Sequence, residues 1–461
     1  MLNVSLWPGH TVLVVGLGKS GQSACAFLQH RGCRVRATES ARTPALEALA
    51  QSLTAGGATV ELGGHTEALC DGSRLVVVSP GVPPTALPLQ WARRRGVPVI
   101  GELELGARFC AGRLVAITGS NGKSTVTTLV GAMLETAEQP AVVAGNIGTP
   151  LTSQLSRIQF GTTVVLEVSS FQLEHVDRFR PAIACVLNVT PNHLDRHASF
   201  EDYAAAKRRL LTQQGRFGWA VVNADDPVCQ AMASAAPGRR LEFSVQRPVR
   251  GAYLADGALW LVLRARRYRV MAAEEIPLLG PHNTANALAA IAIGGLLGLD
   301  PDTMAAAIRR FRGLPHRLER VADWRGITFI NDSKSTTVEA GLRALECCPG
   351  KAVLIAGGKD KGSDFTVLRR PAGRMVRAAV LIGADAPRLA SALEPVVPVR
   401  RAGTLCEAVQ TAVRLAQPGD WVLLSPMCTS FDMFQDFEDR GAQFTDAVRA
   451  LIQLEQAAVL A

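Results

Sequence analysis

The chain has 461 residues, of which 48% are hydrophobic and 19% are charged, and its formal net charge is +9. This composition is typical of a globular protein with two to four domains of about 100–200 residues each, and it excludes a fibrous or disordered chain. The longest apolar run, around residues 285–299, falls short of the about 20 residues that cross a bilayer, so we predict a buried helix there and no membrane partner.

Three further features of the sequence bear on where the protein acts and what it binds: the start of the chain, the cysteines and the basic clusters. No basic region precedes the first apolar stretch, so we expect no secretory signal. The ten cysteines include no C-x-x-C motif, which favours reduced thiols and a cytoplasmic protein. Basic clusters at 93–95 and 264–269 are short and are not interleaved with stacking aromatic residues, so we predict no nucleic-acid partner.

The first predicted element is a strand from residue 11 that runs into the segment GLGKSG, residues 16–21, and then into a helix. Gly16, Gly18 and Gly21 fit the G-x-G-x-x-G pattern, and Glu39 follows near the end of the next strand. This arrangement resembles a dinucleotide-binding fingerprint, in which backbone N–H groups at a helix start hold a diphosphate. An NAD-dependent oxidoreductase is therefore one alternative, but no candidate hydride-transfer site accompanies the loop.

A second strand, loop and helix follow at 113–134, and the loop reads ITGSNGKST. The usual phosphate-binding loop, G-x-x-x-x-G-K-[ST], requires glycine where this chain has Ile117. Gly119 and Gly122 still allow the backbone to close on phosphate oxygens at a helix start. The side chains that can contact outer phosphates or Mg²⁺ are Lys123, Ser124 and Thr125. We predict a compact nucleotide-binding loop, with an ordinary strand-to-helix turn as the alternative.

The next region, with strands predicted at 163–168, 183–189 and 219–223, supplies candidate metal ligands. Glu167 ends the first of these strands, which is where a Mg²⁺-holding acid belongs beside such a loop. The segment NVTPNHLDRH, 188–197, carries His193, Asp195 and His197 at metal-ligand spacing, or it forms a plain polar loop. Lys207 lies on a predicted helix among alanines. It is either a solvated residue or an amine that forms an anionic carbamate with CO₂.

The last third repeats the pattern of apolar strands followed by polar loops. Strands are predicted at 352–356, 379–382 and 421–424. The polar segments are INDSKSTTVEA (330–340), AGGKDKGSDF (356–365) and LLSPMCTSFDMFQDFEDRG (423–441). Each could be a plain turn, but several such loops at the carboxyl ends of parallel strands favour a ligand crevice.

These elements together predict the fold class and the domains. Near-continuous apolar strands that alternate with helices indicate α/β domains built on parallel sheets. The Pro-rich segment 80–88 and the new strand at Leu114 bracket one boundary, and the segment 312–321 marks a second. We therefore predict domains at residues 1–101, 102–313 and 314–461.

Eight motifs, taken in order, resemble the ATP-dependent Mur ligases over the whole chain. They are ITGSNGKST (117–125), GNIGTP (145–150), LEVSSFQLE (166–174), NVTPNHLDRH (188–197), GPHNTANALAA (280–290), GLPHRLE (313–319), NDSKST (331–336) and SPMCTSFDMFQDFEDRG (425–441). Within that family, the resemblance is to the member that joins D-glutamate to UDP-N-acetylmuramoyl-L-alanine.

The resemblance implies an N-terminal Rossmann-like UDP-binding domain, a central P-loop-type ATPase domain with a mostly parallel sheet and a C-terminal Rossmann-like domain. It implies a ligase that makes an acyl phosphate with ATP and two Mg²⁺ ions in cytoplasmic peptidoglycan precursor synthesis, and hence a role in cell shape and division. We expect a monomer. Ligation of L-glutamate, or of another acceptor as in a folylpolyglutamate-like enzyme, is the alternative within the same chemistry.

The resemblance also implies roles for individual residues. The expected catalytic residues are Lys123, Glu167, His193 and Lys207. The expected ATP contacts are Gly119, Ser120, Asn121, Gly122, Lys123, Ser124, Thr125, Asn283, Asn286, Arg317 and Asp332. The expected substrate contacts are Lys19, Ser20, Glu39, Ser79, Gly81, Asn146, His193, Lys334, Thr336, Lys361, Ser430 and Phe437. The expected metal ligands are Ser124, Glu167, His193 and a carbamylated Lys207.

Overall fold

The computed structural model of the chain describes residues 8–193, 196–360 and 362–460. The chain divides into two compact units. The first runs to Pro277 and includes His282–Phe311, and the second combines Leu278–Pro281 with the chain from Arg312 onwards. The predicted domain limits at 101 and 313 stay predictions, since this division separates two units rather than three domains.

The first sheet has five parallel strands in the order β3-β2-β1-β4-β5. The strands are β1 (Thr11–Val15), β2 (Arg34–Glu39), β3 (Thr59–Leu62), β4 (Leu75–Val78) and β5 (Val99–Gly101). The helices are α1 (Lys19–His30), α2 (Pro44–Ala55), α3 (Leu87–Arg94) and α4 (Glu102–Phe109). Every residue of β1 is buried, as expected for a parallel strand that helices cover on both faces.

The second sheet has nine strands in the order β14-β13-β12-β11-β10-β9-β6-β8-β7. The strands are β6 (Arg113–Thr118), β7 (Ala141–Gly145), β8 (Thr163–Glu167), β9 (Ile183–Val186), β10 (Trp219–Asn223), β11 (Arg239–Ser244), β12 (Gly251–Ala255), β13 (Ala258–Leu263) and β14 (Arg266–Ala272). Strands β6 to β12 pair in parallel, whereas β13 and β14 are added as antiparallel hairpins. The mostly parallel α/β fold that the sequence predicts is confirmed.

The helices of this sheet are α5 (Lys123–Thr136), α6 (Leu151–Gln154), α7 (Ser170–Leu173), α8 (Phe200–Thr212), α9 (Pro227–Ala233), α10 (His282–Leu297) and α11 (Pro301–Arg310). The apolar run predicted as a buried helix forms most of α10, whose residues from Asn286 to Gly295 are all buried. The basic cluster at 264–269 lies on the hairpin of β13 and β14, where the Arg267 guanidinium carbon is 3.8 Å from the Trp260 ring centroid. An aromatic partner thus exists here that the sequence pattern did not reveal.

The third sheet has six strands in the order β15-β16-β20-β17-β18-β19. The strands are β15 (Glu319–Trp324), β16 (Ile327–Asn331), β17 (Ala352–Gly357), β18 (Val376–Ile382), β19 (Val399–Arg401) and β20 (Trp421–Leu424). The helices are α12 (Val338–Glu346), α13 (Arg369–Met375), α14 (Ala386–Leu393), α15 (Leu405–Leu415) and α16 (Phe437–Leu460). Only the edge strand β15 runs antiparallel to its neighbour within the described part of the sheet, so the polar loops follow the carboxyl ends of parallel strands.

Polar contacts join the first two sheets inside the first unit. The Ser23 hydroxyl on α1 lies 2.6 Å from the Thr152 hydroxyl on α6. The buried Glu102 carboxylate accepts hydrogen bonds from the Thr152 N–H and hydroxyl, each at 2.7 Å. Burial raises the pKa of this carboxyl, although the Thr152 hydrogen bonds act in the opposite direction. Among the described helices, none is long and apolar enough to cross a membrane.

Candidate active site

The loop between β6 and α5 has the geometry of a phosphate cradle. Gly122, immediately before α5, has φ +81°, a conformation that costs glycine little. A Cβ built on this residue would lie 2.3 Å from the Asn286 side-chain oxygen. The loop therefore closes tightly against α10 at the N-terminal end of α5, the end of a helix that favours anions.

Residues after β9 hold this loop in place. The Asn188 side chain accepts from the Asn121 N–H at 2.8 Å and donates to the Asn121 carbonyl at 3.1 Å. The buried Ser120 hydroxyl donates to the Thr190 carbonyl at 2.9 Å and lies 3.0 Å from the Tyr203 hydroxyl. The missing glycine at position 117 is thus compatible with an ordered loop, because Ile117 is a buried strand residue.

Two lysine amines meet at the carbonyl oxygen of Gly119. The Lys123 amine donates to it at 3.0 Å and to the Ser120 carbonyl at the same distance. The Lys207 amine donates to it at 2.8 Å and to the Thr118 hydroxyl at 3.3 Å. Burial lowers the pKa of the Lys207 amine well below its usual range, and the nearby Lys123 charge lowers it further. Lys207 is therefore no solvated residue, because its side chain is 1% exposed.

Glu167 ends β8 directly beside the strand that carries the loop, paired in register with Ile117. One carboxylate oxygen accepts from the Asn146 side-chain amide at 2.7 Å. The other oxygen is buried and has no hydrogen-bond partner within the described residues. A buried carboxylate oxygen without a partner is costly in isolation, so this position fits a cation that completes its coordination.

The two histidines of the segment after β9 differ in their surroundings. His193 is exposed and has φ +55°, and its ring centroid is 4.9 Å from the Phe171 ring and 6.3 Å from the Tyr203 ring. His197 is buried, with Nε2 3.0 Å from the Ser170 hydroxyl. Asp195 lies outside the described residues. Within residues 8–193, 196–360 and 362–460, no three His, Cys, Asp or Glu side chains form a metal cluster.

The remaining predicted ATP contacts of the first unit lie on α10. The Asn286 side-chain amide donates to the Asn283 side-chain oxygen at 2.9 Å, and both residues are buried. Asn286 thereby faces Gly122, while Ser124 and Thr125 are buried in the first turn of α5. The structure thus brings the phosphate loop and the asparagines of α10 together.

The glycine-rich loop after β1 has its own set of contacts. The Ser79 hydroxyl donates to the Gly16 carbonyl at 2.8 Å, which joins the loops after β1 and β4. Glu39 accepts from the Leu17 N–H at 2.9 Å. Burial acts to raise the pKa of the Glu39 carboxyl, but backbone hydrogen bonds from Leu17 and Ala41 outweigh it and lower the pKa. Lys19 and Ser20 begin α1, the helix that follows this loop, and Gly81 lies beyond Ser79.

In the second unit, Asp332 is buried among hydrogen-bond donors at the end of β16. It accepts from the Leu318 N–H at 3.1 Å, from the Ser425 hydroxyl at 3.1 Å and from the Ser335 hydroxyl. Burial raises the pKa of this carboxyl to about 6, against the effect of these hydrogen bonds and of the Arg317 charge. Asp332 thus joins the loops after β16 and β20.

The other candidates of the second unit lie on the loops that follow its strands. The Lys334 amine is 5.1 Å from the Phe437 ring centroid, and Lys334 is exposed. Thr336 is half-buried and Ser430 is buried. Lys361 lies outside the described residues.

Arg440 is a residue that our reading of the sequence did not single out, although it stands in the quoted motif before Gly441. Its side chain is fully buried and donates to the Ser333 hydroxyl at 3.0 Å, the Ser333 carbonyl at 2.8 Å and the Cys428 carbonyl at 3.2 Å. Burial lowers the pKa of this guanidinium to about 10. The arginine within this polar motif was a signal in the sequence that could have identified it. Tyr203 in the first unit, whose hydroxyl lies 3.0 Å from the Ser120 hydroxyl, was also not predicted, and no sequence pattern marks it.

Comparisons with family models and with known proteins cover nearly the whole chain. Three family models match successive parts of the chain: a Mur ligase MurD-like N-terminal domain at residues 10–101, a Mur ligase middle domain at 117–294 and a Mur ligase glutamate ligase domain at 316–428. The UDP-N-acetylmuramoylalanine–D-glutamate ligase of Acidobacterium capsulatum is 45% identical over 445 residues, 96% of each chain. The enzyme of the same name from Solibacter usitatus is 45% identical over 444 residues, 96% of this chain and 98% of that one.

Solved structures share the fold at lower identity. The UDP-N-acetylmuramate–alanine ligase MurC from Thermotoga maritima is 18% identical with a TM-score of 0.58, over 95% of this chain and 99% of that one. MurF from Acinetobacter baumannii is 18% identical with a TM-score of 0.59, over 86% of this chain and 88% of that one. The chain belongs to the Mur ligase family, within its group of UDP-N-acetylmuramoylalanine–D-glutamate ligases.

Proposed function

We propose that the protein adds D-glutamate to UDP-N-acetylmuramoyl-L-alanine in an ATP-dependent, ADP-forming reaction of peptidoglycan precursor synthesis. Full-length relatives of that name at 45% identity support the substrates. The ten cysteines, all of them free thiols, support a reducing compartment such as the cytoplasm. We propose that the enzyme acts as a monomer.

One observation carries the proposal. Glu167 ends β8, the strand beside the one that leads into the phosphate loop and α5, and one of its carboxylate oxygens is buried with no hydrogen-bond partner among the described residues. A phosphate loop alone fits many nucleotide-binding proteins. A carboxylate at the end of the neighbouring strand adds the metal ligand that phosphoryl transfer requires.

The chemistry follows from the weakness of a carboxylate as an acylating agent. An oxygen of the alanyl carboxylate attacks the γ-phosphorus of ATP, the bond to ADP breaks, and an acyl phosphate forms. The amine of glutamate then attacks the acyl carbon, phosphate leaves, the amine loses its proton, and an amide remains. We propose that Lys123, at the start of α5, stabilises the negative charge that develops on the transferred group.

Magnesium bound at Glu167 and the Ser124 hydroxyl, with a second ion at His193 and Lys207, would neutralise phosphate charge during the transfer. The buried Glu167 oxygen, which has no partner in the part of the chain that the structure describes, supports the first position. For the second, we propose that the Lys207 amine reacts with CO₂, forming an N–C bond and releasing a proton. The depressed pKa of this buried amine supports that step, because only the neutral amine is nucleophilic.

We propose that the remaining candidates serve the other ligands. The UDP moiety would be held by Lys19, Ser20, Glu39, Ser79 and Gly81, with Asn146 and His193 toward the alanyl end. Asn283, Asn286, Arg317 and Asp332 would contact the nucleotide. Lys334, Thr336, Lys361, Ser430 and Phe437 would bind glutamate. Several of these residues, among them Ser79, Asn146 and Ser430, lie on loops that follow parallel strands, which supports these roles.

Phosphate release with a panel of UDP-sugar and amino-acid pairs tests the proposal. We expect release with UDP-N-acetylmuramoyl-L-alanine and D-glutamate, and a loss on the order of 10²–10³-fold in Lys123→Ala. Lys351→Ala, a change at an exposed lysine before β17, is the control and should keep the wild-type rate. Wild-type turnover by Lys123→Ala would refute the role of the loop. Preference for L-glutamate, a folate acceptor or NAD would refute the substrate assignment.

A further inference from the structure

A single arginine joins loops from the first two sheets. Arg196 follows His193 by three positions, and its side chain is 13% exposed. One terminal nitrogen donates to the Val82 carbonyl at 2.8 Å and to the Glu174 carboxylate at 2.9 Å. The other donates to the Gly81 carbonyl at 3.4 Å. One guanidinium thus joins the loop after β4 to the end of α7 and to its own segment after β9.

The same cluster packs around the His193 segment. The His193 carbonyl accepts from the N–H groups of Arg196 and His197, both at 3.0 Å. The Phe171 ring lies 4.9 Å from the His193 ring, 5.7 Å from the His197 ring and 5.1 Å from the Arg196 guanidinium carbon. Glu174 also faces His197, at 3.8 Å from Nδ1. The position of Arg196 and the orientation of His193 are therefore set by shared contacts.

We propose that Arg196 is a positioning residue that fixes the loop of Gly81 and Val82 relative to His193. This inference rests on the proposed function, in which that loop contacts the UDP moiety and His193 approaches the alanyl end of the same substrate. A substrate that bridges two loops binds more tightly if their separation is fixed beforehand, because less order must be imposed on binding. The planar guanidinium fork suits this role, because it can donate to two carbonyl groups and one carboxylate at once.

The geometry also predicts a larger effect on the binding of the UDP substrate than on the binding of ATP. The phosphate loop keeps its own support from Asn188 and Tyr203, neither of which contacts Arg196 through a described hydrogen bond. Loss of the guanidinium should therefore free the loop after β4 without releasing the ATP cradle. A general loss of stability would have no such selectivity.

Steady-state kinetics of Arg196→Met, which keeps the apolar stem, test the inference. We expect the KM for UDP-N-acetylmuramoyl-L-alanine to rise about tenfold and the KM for ATP to change less than about twofold. Arg209→Met is the matched control, because Arg209 donates to the Leu173 and Glu174 carbonyls at the same end of α7. It should leave both KM values within about twofold of wild type.

A double-mutant cycle with Glu174→Gln adds a second readout. If the two side chains act together, the double variant should have a KM for the UDP substrate within about twofold of the weaker-binding single variant. Equal rises in both KM values, or a lower melting temperature with an unchanged KM for the UDP substrate, would overturn the inference. If Arg196→Met does not fold, as judged by circular dichroism, Arg196→Lys replaces it with the same expected selectivity. A wild-type protein that does not turn over would instead refute the proposed function itself.

Discussion

At the scale of single residues, the Gly119 carbonyl is the centre of the candidate site, because the amines of Lys123 and Lys207 both donate to it. Two ammonium groups at one oxygen repel each other, and Lys207 is also the more deeply buried of the two. Burial and the neighbouring Lys123 charge therefore both favour the neutral form of the Lys207 amine. A neutral amine is the form that can react with CO₂.

We therefore expect activity to depend on CO₂. Depletion of bicarbonate should lower the rate reversibly, and Lys207→Ala should lose on the order of 10²-fold or more in rate. A short carboxylic acid should partly restore that variant, because it can replace the carbamate. Arg208→Ala, the exposed neighbour on α8, is the control. A rate indifferent to CO₂, together with no rescue of Lys207→Ala, would exclude the carbamate.

Asp332 should make the folding stability of the protein depend on pH. Its folded-state pKa is raised from 3.8 to about 6, so the folded protein binds its proton more tightly than the unfolded chain does. The resulting stability is complete below the unfolded pKa and is lost as the pH rises through about 6. We expect the melting temperature of wild type relative to Asp332→Asn to fall between about pH 4 and pH 7.

Asp323→Asn is the control for this experiment, because hydrogen bonding to Arg320 is the main cause that lowers the pKa of Asp323. The stability that Asp323 contributes is lost only as the pH falls through that lowered pKa. The difference in melting temperature between wild type and Asp323→Asn should therefore stay constant between about pH 4 and pH 7. A constant difference for Asp332→Asn as well would contradict the assignment of a raised pKa.

At the scale of elements, the short helix α7 lies directly after the strand that ends at Glu167. Helix α7 follows Glu167 and begins with a capping box, in which the Ser169 hydroxyl accepts from the Gln172 N–H at 3.2 Å. The Gln172 side chain in turn accepts from the Ser169 N–H at 2.9 Å. Because α7 has four residues, it depends on this cap more than a long helix would.

Ser169→Ala should accordingly loosen α7. We expect a cost of about 1 kcal/mol, seen as roughly fivefold faster hydrogen exchange at the Gln172 amide. Ser153→Ala on α6 is the matched control, because that exposed hydroxyl donates to the Pro150 carbonyl and caps no N–H group. Unchanged exchange at Gln172 in Ser169→Ala would show that tertiary packing alone holds the helix.

Comparison of predicted and observed strands shows which of them the sequence pattern alone predicts. Strands β8, β10 and β20 lie within a residue of their predicted limits, because a run of buried apolar residues is itself the signal of a parallel strand. Strands β12 to β14 were not predicted. Strand β14 is rich in arginine, whereas β12 and β13 are short and mostly apolar. The position of all three at the sheet edge follows from the pairing of β12 with β11 and not from local pattern.

At the scale of the whole molecule, the chain forms two compact units, each with its own core. The sheet of the second unit is covered on both faces by separate clusters of buried apolar residues. This unit has the properties of an independently folding domain.

Residues 312–461, expressed alone, should therefore unfold in one cooperative thermal transition. A chain that starts at residue 338 should not, because it lacks β15 and β16, and β16 lies inside the sheet between β15 and β20. Circular dichroism and calorimetry of both chains give the comparison. A broad, non-cooperative transition of the longer chain would show that Leu278–Pro281 or the first unit is needed for its folding.

The sequence by itself determined the α/β class, the family and the positions of the phosphate loop, Glu167 and Lys207. A glycine in a tight turn, a polar residue at the end of an apolar strand and the order of motifs can be read from the residues themselves, without knowledge of tertiary contacts. The tertiary structure alone decided that Lys207 and Lys123 share one carbonyl, that one Glu167 oxygen has no partner among the described residues, and that Arg196 and Arg440 join separate loops. These facts depend on contacts between residues far apart in the chain, and burial and pKa follow from such contacts rather than from residue type.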